Sequence, residues 1–167
     1  MRVQNSDARF EAHIRDNEAD LVRYLQRRLA NSADAAEAYG EVLLAAWRQR
    51  KKCPTDAARP WLFVVARNVL RNAHRTSARR SAATERFIAS LPTPVATDPG
   101  HSVDVARALR TLGDDDAELV RLIYWDGFEI QEAAVIVGLN PSTARSRLAS
   151  AKKRLREVLE PSPAHQP

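Results

Sequence analysis

Between Pro141 and Arg156 the chain sets Ser142, Thr143, Arg145, Ser146 and Arg147 ahead of Lys152, Lys153, Arg154 and Arg156, and no carboxylate follows until Glu157. Hydroxyl, ammonium and guanidinium groups donate hydrogen bonds to phosphate oxygens and to the acceptor edges of bases. They are groups for gripping an anion, not for breaking a bond. Elsewhere His13, His74, His101 and His165 are too scattered to build a metal site with Cys53, the only cysteine. The one acidic cluster, Asp114 to Asp116, sits where a helix begins, and negative charge suits that end of the helix dipole. The sequence therefore leads us to expect no catalytic residues, no metal, no cofactor and no small-molecule substrate.

The elements that must position these side chains are legible around them. Asn140 followed by Pro141 reads as an N-cap and a first helical residue. Leu148, Ala151 (or Lys152), Leu155 and Leu159 then repeat at helical spacing, giving one apolar face on an otherwise cationic helix. Just before it, in "EIQEAAVIVGLN", Ile130, Ala133, Ala134 and Val137 mark another helix, closed by Gly138. Helix, short Gly-containing turn, helix is the helix-turn-helix layout, in which the start of the second helix faces base edges in the major groove. Ser142, Thr143, Arg145 and Ser146 occupy that start. The small side chains of Ala133 and Ala134 allow the two helices to approach closely. A solvated basic surface helix is the competing reading of such a charge run.

A second acid-free basic stretch runs along the helix that Pro60 opens, in which Trp61, Val64, Val65 and Val69 share a face. Arg67, Arg71 and Arg75 are four apart and stack on one side. Asn68, Asn72 and His74 lie among them, and Arg79 and Arg80 follow. Amides and imidazoles pair with base edges, and arginines hold phosphates or stack on unpaired bases.

The fold class expected is all-α: two small helical domains joined by a flexible linker, the second with the helix-turn-helix. The first covers 1–83, with stripes at Leu21, Leu25 and Leu29, and at Tyr39, Val42, Leu43, Ala46 and Trp47, the latter after Ser32 and Asp34 as candidate caps. Residues 84–104 carry Pro92, Pro94, Pro99 and Gly100 and read as the linker. The second domain covers 105–160, and 161–167 reads as a disordered tail. Trp47, Trp61 and Trp125 are most simply core residues. A linker of this length reaches roughly 25 Å as a coil and at most about 70 Å stretched, against about 70 Å for two turns of duplex. Two basic modules can thus grip one nucleic acid at separate places if something larger aligns them.

The chain has 167 residues and a net charge of +5, which favours an anionic partner. No apolar run is long enough to span a bilayer, and "MRVQNSDARFEAHIRD" lacks a signal-peptide core. With a lone cysteine as well, the expected location is cytoplasmic and no membrane insertion is expected.

Three segments in order, "DAAEAYGEVLLAAW" (34–47), "RPWLFVVARNVLRNAHR" (59–75) and "EIQEAAVIVGLNPSTARSRLASAKKRLRE" (129–157), resemble bacterial sigma factors of the two-domain extracytoplasmic-function (ECF) group. The resemblance implies a dissociable, non-catalytic subunit of RNA polymerase that confers promoter recognition. It implies that the first domain (region 2) docks on the clamp helices of core RNA polymerase through Asp34, Glu37, Glu41, Leu44 and Trp47. Arg67, Asn68, Arg71, Asn72, His74, Arg75, Arg79 and Arg80 would read and help melt the −10 element. The second domain (region 4) would touch the polymerase flap and read the −35 element of promoter DNA through Ser142, Thr143, Arg145, Ser146, Arg147 and Lys152. An anti-sigma factor is a further partner the resemblance implies. Gly40 departs from the family pattern, standing where a Gln is usual, as does Ser150, which replaces a frequent Arg.

The alternative reading is a helix-turn-helix repressor or activator that acts without polymerase docking. It leaves the 34–47 helix and the basic helix after Trp61 unexplained. A DNA-processing enzyme would need a nucleophile or a metal-binding carboxylate cluster.

Overall fold

A computed structural model describes the backbone of residues 2–84 and 103–159, and the side chains of 7–75 and 105–159 within that range. Seven α-helices follow one another there: α1 (Arg2–Gln26), α2 (Ser32–Arg48), α3 (Ala58–Thr84), α4 (Val103–Arg110), α5 (Asp114–Tyr124), α6 (Ile130–Val137) and α7 (Pro141–Leu159). No strand occurs among the described residues, and none of their helices is long and apolar enough to cross a membrane. The chain divides into two compact units, 1–96 and 97–167. Most of the proline-rich stretch read as a linker, and the tail 161–167, lie outside the described residues.

In the first unit α1, α2 and α3 pack on one another. Leu21, Tyr24 and Leu25 of α1 are fully buried, as are Val42 and Ala46 of α2 and Leu62, Phe63 and Ala66 of α3. Tyr24 meets Phe63 edge-on, with ring centroids 5.0 Å apart, an arrangement the ring quadrupoles favour. The core face of α3 therefore runs through Leu62, Phe63, Ala66 and Leu70 beside Val65 and Val69, while Trp61 and Val64 sit half-buried at its margin. Of the four residues read as one face from sequence, Val65 and Val69 are thus core and Trp61 and Val64 are not.

Two further local details differ from the sequence reading. Helix α2 is capped by Asn31, not Ser32 or Asp34: the Asn31 Oδ1 accepts from the Asp34 amide at 2.8 Å, and Asn31 Nδ2 donates to Asp34 Oδ2 at 2.9 Å. Helix α3 starts two residues before Pro60, which falls in the first turn, where an amide has no helical partner to lose. Asp20 ties α1 to α3, accepting from Arg59 Nη2 at 3.2 Å while also pairing with Arg23. Burial raises the Asp20 pKa, but hydrogen bonds and charge from Arg23 and Arg59 outweigh it and hold the carboxyl below its ordinary value.

In the second unit, Leu109, Leu112, Ala117, Val120 and Ala151 form a buried cluster, with Val105, Trp125, Leu148 and Leu155 packed against it. Helices α4, α5 and α7 thus share one core. Leu148, Ala151 and Leu155 are the apolar face anticipated for α7; Lys152 is exposed and Leu159 largely so. Ala133 and Ala134 of α6 and Ala144 of α7 are completely buried, so the two helices meet across side chains of minimal size.

Candidate functional site

The turn between α6 and α7 is set by three residues. Gly138 adopts φ 81°, ψ 33°, the left-handed conformation that lets its amide return to Ala134 O at 2.9 Å. The Leu139 amide bonds the same carbonyl at 2.8 Å. Asn140 then caps α7: its Oδ1 accepts from the Thr143 amide at 2.8 Å and from the Ser142 hydroxyl at 2.7 Å. At the other end of α6, Glu129 and Glu132 form a capping box, in which the Glu129 amide donates to Glu132 Oε2 at 3.0 Å. Both helices of the pair therefore begin on local hydrogen bonds, and α6 also ends on them.

Along α7 the six residues named from sequence do not share one face. Successive side chains are roughly 100° apart. Measured from the buried Ala144, Ser142 and Ser146 point to the outside, and Lys153 points directly away from the core. Arg145 and Lys152 flank this face on one side. Arg147 lies on the other, about 160° from Arg145. Its Nη1 is 3.5 Å from Asp116 Oδ1 and 3.9 Å from Asp115 Oδ2, at the acidic start of α5. Thr143 is half-buried, and its carbonyl accepts the Ser146 hydroxyl at 3.0 Å. The serine hydroxyls retain lone pairs for an incoming donor. Lys153, which is not among the six residues named from sequence, is exposed on the face opposite Ala144 and Ala151.

On α3 the arrangement is simpler. Asn68, Arg71, Asn72, His74 and Arg75 are exposed and Arg67 half-buried; Arg71, Arg75 and Asn68 lie opposite Leu62, Ala66 and Leu70, while Arg67, Asn72 and His74 flank that side. Arg75 Nε donates to Arg71 O at 3.3 Å, which lays its guanidinium along the helix. The side chains of Arg79 and Arg80 lie outside the described residues.

The outer face of α2 is the third surface. Its core residues Ala35, Ala38, Val42 and Ala46 face inward. Glu37, Leu44 and Trp47 lie on the opposite side, with Glu41 and Asp34 on its flank toward Ala38, and all five are exposed. Leu44 is 59% and Trp47 41% exposed, so Trp47 is not a core residue, unlike the half-buried Trp61 and Trp125. Two apolar side chains beside three carboxylates, on a helix with an ample alternative core face, form a surface suited to a partner. Asp34 also serves the α2 cap described above.

The Cys53 thiol is half-buried, and burial pushes its pKa up despite the nearby Arg9 charge. A thiol so placed is a poor nucleophile.

Comparison with known proteins gives a consistent picture. Residues 13–80 match the family model for sigma-70 region 2, and residues 102–155 match that for sigma-70 region 4. The ECF RNA polymerase sigma factor SigL of Mycobacterium tuberculosis is 29% identical over 152 residues, covering 87% of this chain and 85% of SigL. The RNA polymerase sigma factor CarQ of Myxococcus xanthus is 29% identical over 140 residues, 81% of this chain and 80% of CarQ. Among solved structures, the sigma factor RpoE of Bartonella quintana, in complex with the anti-sigma factor NepR, superposes with a TM-score of 0.68 at 25% identity, covering 90% of this chain and 96% of RpoE.

Proposed function

The chain belongs to the sigma-70 family, in its ECF group, and with that as premise we propose how its two units divide the work of an RNA polymerase sigma factor. The unit built on α1 to α3 docks on core polymerase through the outer face of α2, using Asp34, Glu37, Glu41, Leu44 and Trp47. The basic side of α3, from Arg67 to Arg75, meets the −10 element and holds the non-template strand once it unpairs. The helix-turn-helix places α7 in the major groove of the −35 element, with Ser142, Thr143, Arg145, Ser146 and Lys152 at base edges and phosphates, and Lys153 on phosphate. Arg147 joins this set as the residue that fixes how α7 sits on α5.

The single observation that carries the reading is the outer face of α2. A protein that reads DNA alone has no use for exposed Leu44 and Trp47 framed by Glu37 and Glu41 on a helix far from the helix-turn-helix in sequence. A repressor or activator working without polymerase leaves that face unexplained.

The energetics favour the same division. Capturing an unpaired base costs a few kcal/mol of stacking, on the order of what a handful of arginine and amide contacts return. A small domain with few contacts therefore opens DNA only when held in place by something larger. Polymerase docking supplies that hold. The chain does this by binding alone, without chemistry of its own. By analogy with RpoE, which is found in complex with the anti-sigma factor NepR, an anti-sigma factor is a natural partner of this chain.

Run-off transcription tests the reading. Core polymerase with this protein, on a genomic fragment library, is expected to yield promoter-specific transcripts that core polymerase alone does not. Arg145→Glu is expected to abolish them while polymerase binding persists. Transcripts that do not depend on the protein, or a protein that never associates with core polymerase, would sink it.

A further inference from the structure

Trp47 is exposed on the proposed docking face, yet three contacts hold its ring and backbone. The Phe10 ring meets it edge-on, with centroids 5.9 Å apart and planes 62° apart. The Arg50 guanidinium lies over it, 4.1 Å from the ring centroid. Arg50 Nη1 also donates to the Trp47 carbonyl at 3.2 Å, so the arginine grips both the side chain and the backbone of the same residue.

Arg50 is itself held. Its Nε donates to Asp7 Oδ1 at 2.8 Å, and its side chain is only 24% exposed. Asp7 belongs to α1, and Arg50 to the short 3₁₀ segment Arg50–Lys52 that follows α2. The chain Asp7, Arg50, Trp47 thus runs from one helix, through a planar cation, to an aromatic ring at the edge of another. A lysine could keep the charge pairing but not the flat stacking, because only the guanidinium is planar.

We propose that Arg50, anchored by Asp7, is a positioning residue that sets the Trp47 indole in its docking orientation before core polymerase arrives. The inference rests on the reading of α2 as the docking face. Its physical basis is preorganisation. An aromatic anchor at an interface contributes most when its rotamer is already the bound one, because an unfixed side chain loses rotational freedom on binding. Arg50 does this through its Nε, which donates to Asp7, and its Nη1, which donates to the Trp47 carbonyl.

The test uses the full-length chain labelled with 5-fluorotryptophan, with affinity for core polymerase read by titration and the three indoles read by fluorine NMR. The variants are Trp47→Ala, Arg50→Gln, Arg50→Lys and Asp7→Asn, all measured well below their unfolding temperatures. Trp47→Ala is expected to weaken polymerase binding strongly. Arg50→Gln and Asp7→Asn should each weaken it by about three- to tenfold, the cost of immobilising one side chain. Arg50→Lys should fall between Arg50→Gln and the parent. In Arg50→Gln the Trp47 resonance should move or broaden while those of Trp61 and Trp125 stay in place. If Trp47→Ala binds polymerase like the parent, the docking reading itself fails. If Trp47→Ala weakens binding but Arg50→Gln and Asp7→Asn do not, the docking reading stands and the positioning role is overturned. Movement of all three indole resonances in Arg50→Gln overturns it too, since that is a general loss of fold.

Discussion

The Arg147 guanidinium turns away from the outer face of α7 and toward α5, where its Nη1 stands 3.5 Å from Asp116 Oδ1. That oxygen is buried and accepts no hydrogen bond, so the two groups are charge neighbours rather than a bonded pair. Arg145, two positions earlier, is exposed on the far flank. Two arginines of one basic run are therefore placed differently: one faces outward, and the other stands beside the acidic start of α5.

This difference is measurable through salt dependence. Removing one cation that sits on a phosphate reduces the slope of log affinity against log salt by about 1. Lys153→Gln is expected to reduce the slope for holoenzyme binding to a promoter fragment by about that amount. Arg147→Gln should leave the slope unchanged while lowering affinity, through the seating of α7. An equal drop in slope for both variants would show that Arg147 leaves Asp116 for a phosphate.

Gly138 offers a test of the turn. A Cβ there would meet nothing within 4 Å, so the cost of Gly138→Ala is backbone strain at φ 81° and no steric clash. The expected loss is about 1–2 kcal/mol, seen in chemical denaturation as a lower midpoint for the unit that contains α6 and α7. Gly138→Asn should lose less, because asparagine tolerates the left-handed region better.

Gly40 predicts the opposite sign. It lies within α2, and a Cβ would again meet nothing within 4 Å. Glycine inside a helix costs up to about 1 kcal/mol relative to alanine. Gly40→Ala should raise the denaturation midpoint of the first unit. Because Gly40 lies on the same side as Glu37 and Leu44, polymerase affinity measured on the same variant tells whether docking needs the notch it leaves.

The Asp20 carboxyl gives a pH dependence with a definite sign. Its pKa is lowered in the folded state, so the stability it contributes is fully present above the ordinary value of 3.8 and is lost as pH falls below that through the folded value. Asp20→Asn should lower the unfolding temperature at neutral pH and flatten its decline in acid. The carboxylate is 36% exposed, so the effect is that of a solvent-screened pair and correspondingly small. Equal melting temperatures for parent and variant at pH 7 would show that the Arg59 and Arg23 contacts do not stabilise the α1–α3 packing.

Much of this protein is written in local sequence. The helix period, the Asn140–Pro141 start, the glycine that stops α6 and the acid-free basic runs each depend on residues within a turn or two of one another, so their meaning survives without a fold. The order of three such segments is enough to suggest the family. What the chain alone could not decide was which member of a basic run is available and which is held. Arg147 reaches back about thirty positions to Asp115 and Asp116, Arg59 meets Asp20 across 39 and Arg50 meets Asp7 across 43. Helix packing determines those pairings, because charges act on whatever lies within a few ångströms, however far away it is along the chain. For the same reason Trp47, apolar and at helical spacing, reads as core in the sequence, whereas packing gives the inward side of α2 to Ala38, Val42 and Ala46 and leaves the indole outside.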